Sequence, residues 1–130
     1  MRIWIARLFL AIVGVLYGYL AVWCSLKPVE TSRLVGFVLR PGSGQSEFLT
    51  VYGGLEMGMA LVFLWPLWRP KQLDSSMLAC FLIHGCLVLF RSAGFLLYRN
   101  IQPMTYQLAV GEWVIFLVAA SLCRRKSSFS

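Results

Sequence analysis

The sequence predicts an all-α protein, an antiparallel four-helix bundle that crosses a lipid bilayer four times with both termini cytoplasmic. Three observations predict it. Of 130 residues, 59% are hydrophobic and 13% are charged, against about 25% charged in an ordinary soluble domain. A chain this short buries only about two-thirds of the surface it exposes on unfolding, so a bilayer must solvate the rest. Four apolar runs reach the roughly 20 residues that a membrane helix needs, at residues 3–23, 50–68, 76–97 and 106–123. Finally, helix breakers fall between these runs, as connections require: Pro28, Pro41 with Gly42 and Gly44, Pro70, and Pro103. The length is that of one domain, residues 1–130.

The first run follows Met1-Arg2, as the core of a signal peptide would. It is long for such a segment, and Trp23-Cys24-Ser25-Leu26 offers no small-x-small cleavage site. It reads as a retained helix. Residues 25–49 form the one long loop; within them residues 34–39 are apolar but too short to span. That segment is expected at the outer interface or on the bundle mouth, as an anchored loop or as a lid. Pro66 falls in the last turn of the second run, where it ends or bends the helix.

Orientation follows from the basic residues. Arg2, Arg7, Arg69, Lys71, Arg124, Arg125 and Lys126 make seven on one side; Lys27, Arg33, Arg40 and Arg99 make four on the other. The excess marks the cytoplasmic face. The net charge of +7 is therefore a topology signal. No basic stripe interleaved with aromatics forms a nucleic-acid face. Trp4, Trp23, Trp65, Trp68, Tyr98 and Tyr106 sit at run ends, as an interfacial belt requires.

Between membrane helices small residues mark close approach. Ala11, Gly14, Gly18 and Ala21 share a face of the first span. In the second, Gly54 and Gly58 form a small-xxx-small pair, with Gly53 and Ala60 on a neighbouring face. One of these faces is open to a homodimer.

Four ionisable residues lie inside the spans: Glu56, His84, Arg91 and Glu112. Each charge at mid-bilayer costs about 2.5–3.5 kcal/mol on insertion scales, so these groups are expected to face inward and pair. Counted along alternating spans, Glu56, Arg91 and Glu112 each fall about 9 Å below the outer boundary, with Tyr17 near the same level. Two carboxylates then share one guanidinium, which the planar fork of Arg91 can bridge. Either one Glu carries a proton, or a cation or ligand amine completes the set. The group is a clamp between helices, or a ligand or proton site that uses the clamp.

His84 and Cys80 share a face of the third span with Arg91, but two ligands from one helix do not make a metal site. There is no second His, which excludes bis-histidine haem within one subunit. Cys24, Cys80, Cys86 and Cys123 contain no CxxC, against a thiol oxidoreductase. No metal or cofactor is expected.

The segment Val51-Tyr52-Gly53-Gly54-Leu55-Glu56-Met57-Gly58, with Arg91-x-x-Gly94 and Glu112, resembles the signature of a family of small four-helix bacterial membrane proteins catalogued as a domain of unknown function. The resemblance covers about residues 5–123; the chain is more weakly similar to DoxX-like membrane proteins. Ser46-Glu47-Phe48-Leu49-Thr50 stands where the family has an Arg-containing approach. The resemblance implies a multi-pass protein of the bacterial inner membrane, with residues 25–49 periplasmic, and no agreed activity.

The reading is a non-enzymatic subunit or binding module, its candidate ligand or proton site Glu56, Arg91, Glu112, His84 and Tyr17. A transporter using the same residues competes, although no internal repeat is visible. So does a redox or lipid-enzyme accessory subunit using His84. The partners are the bilayer and either another membrane protein or a second copy of the chain.

Overall fold

The computed structural model describes residues 2–127, with side chains described as far as Arg124; Arg125 and Lys126, counted above in the basic tail, lie outside the described side chains. Among the described residues every regular element is a helix and there is no strand. α1 is Arg2–Leu26, α2 Pro28–Leu34, α3 Ser43–Phe48, α4 Glu56–Leu64, α5 Leu73–Leu97 and α6 Pro103–Ser127. Between α3 and α4 the helix continues without a break through a wide π turn, Leu49–Leu55. Four helical stretches are long and apolar enough to cross a membrane: Arg2–Leu26, Ser43–Leu67, Pro70–Leu97 and Pro103–Arg124, of 25, 25, 28 and 22 residues. At 1.5 Å per residue each exceeds the roughly 30 Å hydrocarbon core.

The prolines act as their backbone chemistry dictates. Pro28 and Pro103 open α2 and α6, where a missing N–H costs nothing. Pro66 tightens the end of the second span into a 3₁₀ turn, Trp65–Leu67. The second span begins at Ser43 rather than at residue 50, because Gln45, Ser46 and Glu47 ride on exposed helix while Phe48 is buried. The loop expected over residues 25–49 is accordingly shortened, and much of it is α2. Thr31 and Ser32 face inward there, their hydroxyls donating to the Lys27 and Val29 carbonyls.

Neighbouring spans run in opposite directions. α1 packs on α4: a Cβ at Gly14 would stand 2.6 Å from Leu64 Cγ, and one at Gly18 would stand 3.8 Å from Ala60 Cβ. α5 packs on α6, with Phe81 stacked on Phe116 and Phe95 on Tyr106. Leu10, Ala60, Phe63, Cys80 and Ala119 are wholly buried between the four. The outside is equally apolar: Ile12, Val15, Leu89, Phe90, Val114 and Leu117 are all exposed, as lipid-facing positions must be.

One packing expectation is corrected. Gly54 and Gly58 are exposed, and a Cβ on either would meet nothing within 4 Å. The small face that meets α1 is Gly53 with Ala60, where a Cβ at Gly53 would lie 2.5 Å from Ser25 Oγ. Small residues on both faces of one helix are indistinguishable by spacing alone.

Candidate functional site

Arg91 of α5 and Glu112 of α6 form a two-pronged ion pair: Nε donates to Oε2 and Nη2 to Oε1, each at 2.6 Å. The pair is largely shielded, the side chains 26% and 11% exposed. Such parallel bonds consume the directed face of the guanidinium, and α5 packs along α6 over this stretch. Glu56 does not share the fork, which corrects the three-way bridge. The ion pairs include Arg91–Glu112 and the exposed Lys27–Glu30. Glu56 sits at the start of α4, turned toward the end of α1, and its Oε2 is buried with no hydrogen-bond partner.

Tyr17 and His84 meet in the centre. Tyr17 Oη and His84 Nε2 are 3.0 Å apart, and His84 Nδ1 lies 2.8 Å from the Cys80 carbonyl oxygen. A carbonyl can only accept, so Nδ1 carries the hydrogen. In the neutral ring Nε2 is then an acceptor, and Tyr17 donates to it. His84 is 0% exposed and its ring lies 5.9 Å from that of Phe63. The histidine ties α1 to α5 and ends on a backbone carbonyl. Tyr17→Phe strands Nε2 and is expected to lower stability by about 1–3 kcal/mol. Lipid-facing Tyr19→Phe should leave the melting temperature in detergent unchanged; equal losses from both would remove the bond's role. Tyr17 is also within electrostatic range of Glu56, Arg91 and Glu112.

Glu56 opens onto a half-open cleft of about 70 Å³ at the α2 end of the bundle, whose walls include Trp23, Cys24, Thr31, Phe48, Tyr52 and Leu108. Phe48, Tyr52 and Glu56 follow one another at intervals of four, which puts them on one side of the helix. Phe48 stacks on Tyr52 with centroids 4.5 Å apart, and Phe37, from the segment after α2, stands edge-on to both. Leu34, Val35 and Phe37 of the apolar segment thus meet the bundle mouth, while Val38 is exposed. The π turn precedes Glu56, whose backbone N–H reaches back to the Val51 carbonyl. Turns of this kind recur at functional sites.

Of the five sequence candidates, the structure joins Arg91 with Glu112 and Tyr17 with His84, and it leaves Glu56 alone in the cleft. The packing candidates Gly14 and Gly18 lie against α4. The contributions of Thr31, Trp23 and Leu108 were not read from the sequence. The signal for α2 was present: Pro28 at a helix start, Glu30 in its first turn and Arg33 in its last.

No curated protein and no solved structure matches the chain. A family model matches residues 5–122, nearly the full length, and the chain belongs to that family, described as Domain of unknown function (DUF4345).

Proposed function

We propose that this multi-pass membrane protein is a non-enzymatic binding module that seats a ligand at Glu56, with Arg91–Glu112 as the clamp that shapes the site. One observation carries the reading: a buried carboxylate oxygen lacks a protein partner and stands at a cleft. Buried polar atoms are almost always satisfied, and an exception calls for a reason. The carrier alternative is disfavoured by the plug beneath the cleft, where Leu10, Phe63, Cys80 and His84 are all 0% exposed.

Native mass spectrometry after mild extraction tests this reading. The wild-type chain should retain a small non-covalent mass that Glu56→Gln loses while remaining folded. Two bare chains would dismiss it. The membrane is, on this reading, the bacterial inner membrane, with both termini cytoplasmic as the excess of basic residues suggests. A fluorescent protein that matures only in the cytoplasm should therefore glow when fused after Ser130; darkness would reverse the orientation.

A further inference from the structure

We infer that the cleft takes the ammonium head of an amphiphile, the nitrogen at Glu56 and the hydrocarbon chain running out along the lipid-facing side. The inference rests on the binding reading above and adds the chemistry of the ligand.

Charge comes first. Arg91 and Glu112 neutralise one another, while Glu56 keeps a buried carboxylate oxygen with no hydrogen-bond partner. Protonation would remove its charge but not its isolation: whichever oxygen takes the proton, Oε2 still has no hydrogen-bond partner. An ammonium group supplies both the countercharge and, in a primary amine, the donor. The walls point the same way. Trp23, Phe48 and Tyr52 line the cleft, and aromatic faces attract cations, most strongly where water is excluded. Size limits the head. The cleft is small, about 70 Å³, which suits a compact head of a few heavy atoms. Much of the remaining lining is apolar, including Leu20, Met104 and Leu108, which suits a hydrocarbon chain.

The test uses the full chain in an uncharged maltoside detergent, titrated with dodecyltrimethylammonium, with dodecylammonium, or with an uncharged dodecyl ether. Melting temperature and native mass are read. Both ammonium compounds should stabilise the wild type and the exposed control Glu47→Gln. Glu56→Gln should need about ten- to hundredfold more ligand, as the loss of a charge-assisted contact implies. Should Glu56→Gln fail to fold, Tyr52→Leu replaces it, and it should weaken the ammonium response while sparing that to the ether. Equal responses to ether and ammonium, or an unchanged titration in Glu56→Gln, would overturn the inference and leave a binding module for neutral amphiphiles. No response to any probe, with a bare native mass, would overturn the binding reading as well. The source is separated in bilayer discs of phosphatidylglycerol with or without phosphatidylethanolamine. Retained phosphatidylethanolamine identifies a lipid head; a response to added alkylammonium without lipid retention identifies a free amine.

Discussion

Replacing Arg91 by Gln should cost about 3–5 kcal/mol of folded stability, the range for breaking a shielded ion pair by removing one partner. The reason is what remains. Glu112 is 9% exposed, and without the guanidinium it must keep a charge away from water or take up a proton. Glu112→Gln strands Arg91 in the mirror situation. The double variant Arg91→Gln with Glu112→Gln leaves no charge alone and should recover most of the loss, because exchanging a whole buried pair for neutral groups is often nearly neutral. The measurement is a double-mutant cycle on melting in detergent. Single and double variants falling by the same amount would mean that the 2.6 Å contacts contribute nothing to holding α5 on α6.

Gly14→Val should be the most damaging change on the opposite seam. The added Cβ would stand 2.6 Å from Leu64 Cγ and 3.1 Å from the Ala60 carbonyl oxygen. Leu64 can shift, but the carbonyl belongs to the α4 backbone and cannot yield without moving the helix. Overpacking of this kind costs about 1–3 kcal/mol, and a β-branched side chain on a crowded helix face sits at the upper end. Gly58→Val is the matched control, since nothing lies within 4 Å of its Cβ. The glycines differ by whether another backbone is near. A loss at Gly58 equal to that at Gly14 would move the α1 contact to the wrong face of α4, or reveal a second chain covering Gly58.

The spans were legible because hydropathy over about 20 residues is a strong signal, and the breakers Pro66, Pro70 and Pro103 fall where the chain changes course. The start of the second span was not. Hydropathy ends at Glu47, whereas the helix persists because Phe48 packs on Tyr52 and Phe37. Depth along the spans correctly suggested that Arg91 and Glu112 are near one another. It did not reveal that Glu56 faces elsewhere, because depth fixes height and leaves rotation about the helix axis free. The π turn at Leu49–Leu55 adds to that rotation, and no sequence period announces it. Tyr17 was placed by height as well; its bond to His84 needed the rotational setting of α1 against α5.

The bundle divides into two welded pairs. Glycine seams α1 to α4, and the guanidinium fastens α5 to α6. Between the pairs run slimmer rivets: Tyr17 to His84, and the Ser76 hydroxyl donating 2.8 Å to the Val62 carbonyl. This partition is where the molecule should part first under stress. The cleft straddles it, with Trp23 and Tyr52 on one half and Leu108 on the other. Whatever lodges there touches both halves, so its occupancy and the cohesion of the bundle rise and fall together.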